Sequence, residues 1–324
     1  MKNPKISIII PIKNSYKNIL KLHKSIQDQS LKDIEIIYVD DCSSDNTTQF
    51  IKKLQKKDRR IILLRNKINK GPFYSRNKAV IFARGEFIQF IDSDDILINN
   101  ILEKSFCIAK DKNLDIVQYK FIIKKNKYHI YDEKTNDSII FQPELNEQMY
   151  YGKGKLKQTN HYIFNKIIKK IIFLKSLIFI GDETLKINLY MNEDLIQLFS
   201  VLRVSNSLLF INNIGYVKLE ENNNESLFSE HNNPKFANQI FHDNIIELKF
   251  LYYKSENNNH DKAIIFDFLK MSKRNYYNIS IYITNGYELF DEVFNLLLNS
   301  NFFNYKQKLF IENYKKGLML NRKI

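Results

Sequence analysis

The sequence predicts an α/β fold in which a mostly parallel sheet is flanked by helices. Through the first hundred residues, short β-rich runs alternate with amphipathic helical patterns, the order that parallel βαβ units produce. Each run ends in or near polar residues, as strands do when a ligand site lies at their carboxyl ends. The chain of 324 residues is 44% hydrophobic with only 8 Gly and 5 Pro, which supplies apolar side chains for two cores and excludes disordered and fibrous classes.

Lys5 to Ile10 reads as a buried strand closed by Pro11. Ile19, Leu22, His23 and Ile26 recur at helical spacing behind Asn14 and Ser15, both cap-forming types. Ile34 to Val39 is a second strand, followed after Asp45 by a helix carrying Phe50, Ile51 and Leu54. Ile61 to Leu64 is a third strand, Pro72 to Ala83 a helix with Pro in its first turn, and Phe87 to Ile91 a fourth strand. Beyond residue 100 the alternation loosens. Leu102, Phe106 and Ala109 predict a helix and Asp115 to Ile122 a strand, 124–160 is polar and loop-rich, and Asn165 to Ile180 is a basic amphipathic stretch. Asn192 opens a helix with Leu195, Leu198, Phe199 and Leu202 on one face. The low-complexity run ENNNESLFSEHNNPK at 221–235 marks a boundary, after which Leu289, Phe290, Val293, Phe294 and Leu297 keep helical spacing. The predicted organisation is a domain over 1–220 with halves at 1–115 and 116–220, a linker over 221–235 and a helical region over 236–324.

Lys plus Arg number 50 against 36 Asp plus Glu, a formal net charge of +14, so the surface favours anionic partners: nucleic acid, anionic headgroups or phosphorylated small molecules. Cys42 and Cys107 are too few for a disulfide framework, and the 6 His are scattered without zinc-site spacing. The opening MKNPKISIIIPIKN lacks a cleavage site of small residues, and Ile167 to Ile180 carries Lys169, Lys170 and Lys175, which argues against a membrane span. The expectation is a cytoplasmic protein able to sit peripherally at a membrane. Its basic surface around Asn165-Lys166, Lys169-Lys170 and the tail from Tyr305 to Lys323 would make that contact. Aromatic residues interleave with Lys in the last hundred residues, but no nucleic-acid module accompanies them, so nucleic acid is disfavoured as a partner.

Four polar clusters stand at strand ends or helix starts: Asp40-Asp41 with Asp45, Asn69-Lys70-Gly71 with Arg76-Asn77, Asp92-Ser93-Asp94-Asp95, and Glu193-Asp194. Each alone has a plainer reading. Asp40, Asp41, Ser43 and Asp45 are turn and N-cap types, and paired acids after a strand also occur in phosphoacceptor receiver folds. Asp92, Asp94 and Asp95 suit a solvated turn capping a helix at Ile96, Arg76 an exposed helix position, and Glu193-Asp194 the favourable end of a helix dipole. Three carboxylates within four residues nevertheless repel one another unless a cation or hydrogen-bond donors neutralise them. A hard divalent ion with oxygen ligands does this. The helix start NKGPFYSRN offers free N–H groups and positive dipole to an anion.

In combination, SIIIPIKN at 7–14, IEIIYVDDCSSDNT at 34–47, NKGPFYSRNKAVIFARGEFIQFIDSDD at 69–95 and NEDL at 192–195 resemble the family 2 glycosyltransferases, with the Rossmann-like GT-A fold of nucleotide-diphospho-sugar transferases. The resemblance covers roughly the first 210 residues. It implies a nucleotide-binding half at 1–115, an acceptor half at 116–220, and an inverting transfer from a nucleotide-sugar donor, a uridine diphosphate sugar, to a glycan or lipid-linked acceptor. By resemblance Pro11, Asp40, Asp41, Arg76, Asp92 and Asp94 bind the nucleotide, with Asp41 on uracil, Asp40 supporting the turn and Arg76 near the base and diphosphate. Asp94 and Asp95 of the DXD motif hold Mn²⁺ or Mg²⁺. Asp194 falls on the catalytic base, with Glu193 its partner. Cys42 stands where Gly is usual, Lys13 where an aromatic is frequent, and Asn192 where Gly often precedes the acidic pair. Two other classes are compatible with parts of this pattern. One is a non-catalytic module of the same fold that holds an anionic partner through its basic C-terminal region, against which the intact acidic residues argue. The other is a nucleotidyltransferase, which wants a Gly-rich loop after the first strand where this chain has SIIIPIKNSYKN.

Overall fold

The computed structural model describes residues 3–98, 100–124, 128–131, 139–142, 162–190, 193–219, 234–255, 265, 287–300 and 303–320. The chain divides into two compact units, Met1–Asn146 with His161–Leu189 and Gln197–Asn222, and Glu147–Asn160 with Tyr190–Ile196 and Asn223–Ile324.

The first unit begins with four βα repeats. They are β1 (Ile6–Ile12), α1 (Ile19–Gln27), β2 (Ile34–Asp40), α2 (Thr47–Lys57), β3 (Ile61–Arg65), α3 (Gly71–Phe82) and β4 (Phe87–Phe90), closed by β5 (Ile96–Leu97) and α4 (Ile101–Asp111). The strands β3-β2-β1-β4 are neighbours in that order and parallel, so the order reverses beside β1 and opens a crevice at the carboxyl ends. Every residue of β2 and β4 is buried, because helices cover both faces of a parallel sheet. The remaining strands are β6 (Ile116–Lys124), β7 (Tyr128–Tyr131), β8 (Ile139–Phe141), β9 (Lys166–Lys169) and β10 (Ser207–Leu219). They extend the sheet as β4-β9-β6-β10-β5, with β7 on β6 and β8 on β10. Helices α5 (Lys170–Ile180), α6 (Asp182–Leu185) and α7 (Glu193–Val204) lie between β9 and β10 in the chain.

Several local expectations change. β1 passes through Pro11 to Ile12. The Ile9 carbonyl accepts the Ile91 N–H at 3.1 Å, and Pro11, two residues on, faces that same side beyond the end of β4, where its missing N–H is not needed. Asn14 and Ser15 do not cap α1. Asn14 takes a left-handed φ of 48°, and the Ser15 carbonyl instead accepts the Asn18 and Ile19 N–H groups. Ile96 starts no helix; with Leu97 it pairs antiparallel to β10. Strands β7 and β8 fall within the expected loop at 124–160, most of which lies outside the described residues.

The stretch Asn165 to Ile180 is not one amphipathic element. Its first residues form β9, which fills the gap between β4 and β6 antiparallel to both, and α5 follows. Lys166 is fully buried, its ammonium donating to the Tyr162 carbonyl and to Asn165 Oδ1, so it is no part of a basic surface. Lys169 Nζ donates to Asn113 Oδ1 and lies 3.8 Å from Asp115, and Lys170 Nζ donates to the Ala83 carbonyl. No helix among the described residues is long and apolar enough to cross a membrane.

At the amino end of the sheet, buried Glu35 accepts the Ser7 hydroxyl at 2.6 Å, the Arg84 N–H at 2.5 Å and Arg84 Nε at 2.9 Å, while the Gly85 N–H donates to Ser7 Oγ at 2.8 Å. A methyl at Gly85 would overlap the Ser7 backbone nitrogen and stand 2.8 Å from the Ile6 carbonyl carbon. Forcing it in costs about 1–3 kcal/mol. Gly85→Ala therefore melts several degrees below the parent, while Glu86→Ala at its exposed neighbour does not; thermal unfolding followed by circular dichroism checks both.

The second unit contains α8 (Pro234–Lys254), α9 (Tyr287–Asn299) and α10 (Tyr305–Leu320). Leu195, Ile196, Ile245, Leu248, Phe250, Leu251, Ile265, Val293, Phe294, Leu297, Phe303 and Ile311 are buried apolar residues of this unit. Lys249 pairs with Glu292 at 2.6 Å and Lys315 with Asp291 at 3.0 Å. Of the expected linker, residues 221–233 lie outside the described residues, and Pro234 and Lys235 begin α8.

Candidate functional site

Asp40 and Asp41 end β2 and take different work. Asp40 is fully buried; its Oδ1 accepts the Ser43 N–H at 2.9 Å, and its Oδ2 accepts the Thr48 hydroxyl and faces Arg65 Nε at 3.2 Å. It thereby fixes the turn that follows β2. In that turn Cys42 adopts φ 64°, the left-handed region that favours Gly. Asn14, at the end of β1, clasps the same turn by accepting the Ser44 N–H on its Oδ1 and donating its N–H to Ser43 Oγ.

Asp41 reaches the other way. Its Oδ1 accepts Asn66 Nδ2 and the Lys70 N–H, both at 2.8 Å, and its Oδ2 accepts the Gly71 N–H at 2.7 Å. A carboxylate from β2 thus caps α3, whose unpaired N–H groups and dipole favour an anion there. Asn66 also donates to Ser75 Oγ and accepts Lys78 Nζ, tying the end of β3 to the same helix.

One turn into α3, buried Arg76 donates from Nη2 to Asp92 Oδ1 at 2.8 Å. Helix α3 therefore joins the two acidic segments, holding Asp41 at its start and Asp92 through Arg76. Ser93 Oγ meets Ser15 Oγ at 3.0 Å, so the loop after β4 also touches the end of β1. Asp94 is exposed, whereas Asp95 is 1% exposed. The Asp95 carboxyl accepts the Tyr216 hydroxyl at 2.5 Å on Oδ2 and the Leu219 N–H at 2.9 Å on Oδ1, and the Tyr216 hydroxyl in turn accepts the Asp92 N–H at 3.2 Å. This is not a solvated acidic turn.

Tyr216 and Lys218 of β10 are site residues the sequence reading missed. Burial alone would pull the Lys218 ammonium down, but Asp92 and Asp95, then Tyr162 and Asp94, outweigh it and hold it above its ordinary range. The same ammonium lies 5.6 Å and 5.4 Å from the ring centres of Tyr162 and Phe164. Asp95 is pushed well above the usual carboxylate range by burial and by Asp94, partly offset by Lys218. Negative charge exceeds positive charge here. Among the described residues no three acidic, His or Cys side chains form a ready-made metal cage. The donors fit instead an ion held by one or two carboxylates that completes its shell with diphosphate oxygens and water, as Mg²⁺ does. Exposed Asp94 suits an inner ligand, and each Asp95 oxygen, having one hydrogen bond, retains a lone pair.

Glu193 and Asp194 begin α7 and belong to the second unit, Glu193 buried and Asp194 half-buried; Asn192 lies outside the described residues. The structure thus gathers Pro11, Asp40, Asp41, Arg76, Asp92, Asp94 and Asp95 at the carboxyl edge of the sheet in the first unit, and puts the acidic pair on the other.

The family model described as Glycosyl transferase family 2 matches residues 7–181. Uncharacterized glycosyltransferase MJ1057 of Methanocaldococcus jannaschii is 31% identical over 194 residues, 55% of this chain and 62% of that protein. The UDP-Glc:alpha-D-GlcNAc-diphosphoundecaprenol beta-1,3-glucosyltransferase WfgD of Escherichia coli is 33% identical over 164 residues, 51% of this chain and 55% of that protein. The match spans little more than half of these curated relatives. Among solved structures, S. aureus TarS 1-349 superposes with a TM-score of 0.65 at 19% identity over 98% of this chain and 88% of that one. The same protein in complex with UDP-GlcNAc gives 0.56 at 18% identity over 98% and 92%. At these identities the likeness is one of fold, and the fold is GT-A.

Proposed function

The chain belongs to glycosyl transferase family 2, and from that premise we propose that it moves a sugar from a nucleoside diphosphate, UDP in the first instance, to a hydroxyl of a lipid-linked or polymeric glycan, with inversion and with help from a divalent ion. The observation that carries the reading is the single helix start shared by the two acidic segments, Asp41 capping α3 and Asp92 paired to Arg76 on it. A relative named for UDP-Glc and a diphosphoundecaprenol acceptor, and a fold neighbour whose complex holds UDP-GlcNAc, support the choice of donor and acceptor class.

Asp40 keeps the turn after β2 in shape for the nucleoside, with Pro11 beside it on β1. Asp41 offers the second lone pair of Oδ2 to a uracil N–H. Asp94 and Asp95 would hold Mn²⁺ or Mg²⁺, which when bound supplies Lewis-acid stabilisation of the departing diphosphate. Tyr216 and the Leu219 N–H keep the Asp95 carboxyl oriented, and Arg76 and Lys218 add fixed positive charge where the leaving group gathers negative charge.

In the transfer the acceptor oxygen forms a bond to the anomeric carbon as the bond to the diphosphate oxygen breaks. The bonding pair leaves with the nucleoside diphosphate, and the acceptor's proton passes to the Asp194 carboxylate, with Glu193 at its side. The experiment is transfer and hydrolysis of radiolabelled UDP-sugars with Mn²⁺ present or chelated. Mn²⁺-dependent release of UDP with retention of the label on an acceptor is expected. Saturable binding with no turnover of any donor would leave the non-catalytic module in its place.

A further inference from the structure

Helix α5, KIIFLKSLIFI, is apolar all the way round, its polar residues being Lys170, Lys175 and Ser176. A helix of this composition is normally buried on every side. Here one side stays open. Ile172, Phe173, Ser176, Leu177 and Ile180 are buried, with the Ser176 hydroxyl donated to the Phe173 carbonyl, whereas Ile171, Lys175 and Ile178 follow one another on the solvent side at i, i+4 and i+7. Ile178 is 82% exposed and Ile171 54%.

The start of α5 is fastened to the end of α3: the Lys170 N–H donates to the Glu86 carbonyl and its Nζ to the Ala83 carbonyl, both at 2.8 Å. The last two residues of α3, Ile81 and Phe82, are themselves 69% and 54% exposed. Two adjoining helices of the first unit therefore present large apolar side chains to water, and grouped exposure of this kind marks an interaction surface where single exposed residues do not. Neither helix contains an acidic residue. Their basic residues are Arg76, which is paired with Asp92, and Lys78, Lys170 and Lys175.

We propose that this face docks on an anionic lipid bilayer, its Ile and Phe side chains entering the boundary between headgroups and acyl chains while the lysines reach lipid phosphates. A second copy docking through the same face would set lysines against lysines. One helix length, about 18 Å, separates the face at the end of α3 from the proposed nucleotide site at its start. The use of the face to the enzyme rests on the lipid-linked acceptor proposed above; the docking itself does not.

Flotation tests the docking. The full chain is mixed with vesicles of equal parts phosphatidylcholine and phosphatidylglycerol, or of phosphatidylcholine alone, and centrifuged through a density gradient. The parent floats with the anionic vesicles, less so as salt rises, and stays behind with the neutral ones. The double variant Ile171→Gln/Ile178→Gln binds about tenfold or more weakly, because its side chains gain nothing from leaving water, and Lys175→Gln binds about fivefold more weakly. Leu20→Gln, at an apolar position on α1 that is 59% exposed, binds as the parent does. All of these positions are exposed, so the variants melt with the parent. No flotation by the parent, equal capture by neutral vesicles, or undiminished binding by the double variant overturns the proposal. A dimer of the parent that the double variant dissolves, read by sedimentation, gives the face to a second copy and also overturns it. Transfer to a lipid-linked acceptor without flotation overturns the docking face alone, and flotation without transfer to any such acceptor overturns the acceptor reading alone.

Discussion

Asp194→Asn lowers kcat for sugar transfer by about 10²- to 10⁴-fold, the usual worth of a positioned general base, which is roughly 3–5 kcal/mol of transition-state stabilisation. Its affinity for UDP stays that of the parent, because the nucleotide site proposed above is built from residues at the ends of β1, β2 and β4 and does not include Asp194. The acceptor hydroxyl cannot shed its proton before the bond forms, and an amide cannot take it. Initial rates with a labelled UDP-sugar, run beside a UDP titration, separate the two quantities. Glu193→Gln, at a buried neighbour that also lies in the helix's first turn, loses less rate. A full-speed Asp194→Asn would move the base elsewhere.

Asp94→Ala abolishes the gain in UDP affinity that Mn²⁺ brings, a loss of about tenfold or more, equal to at least ~1.4 kcal/mol. It leaves the melting temperature of the metal-free protein close to that of the parent, because Asp94 is exposed. Asp95→Ala is the less clean experiment. It strands the Tyr216 hydroxyl and the Leu219 N–H in a buried place, so a stability loss of about 1–3 kcal/mol accompanies any loss of metal. UDP titrations with Mn²⁺ and with a chelator, together with melts of both variants, distinguish a ligand from a brace. Unchanged Mn²⁺ dependence in Asp94→Ala would remove it from the metal site.

The first four strands are legible as short apolar runs between polar turns, α1 and α2 by apolar residues at helical spacing, and α3 by Pro72 in its first turn. What escaped is what depends on distant pairing. The run Lys166 to Lys169 is a strand only because β4 and β6 leave a gap for it, and its buried Lys166 reads in sequence as surface. Ile96-Leu97 is a strand only because β10 passes beside it.

The acidic segments were visible as clusters, but their partners were not. Asp41 meets Lys70, Gly71 and Asn66 some thirty residues away, and Tyr216 and Lys218 come from the last strand to reach Asp92 and Asp95. A lone Tyr and Lys in GYVKLE have no spacing that marks them. Cys42 was flagged as standing where Gly is usual, and the backbone there does take positive φ.

The central claim is that the carboxyl ends of β1, β2 and β4, joined by the start of α3, hold a nucleoside diphosphate with a divalent ion. Calorimetric titration of UDP into the parent, Asp41→Ala and Asp94→Ala, each with Mn²⁺ and with chelator, tests it most directly. The prediction is saturable Mn²⁺-dependent binding by the parent that is weakened in Asp41→Ala both with and without metal, and that loses only its metal-dependent part in Asp94→Ala. Binding of equal strength in all three proteins, or no binding by the parent under either condition, would contradict it.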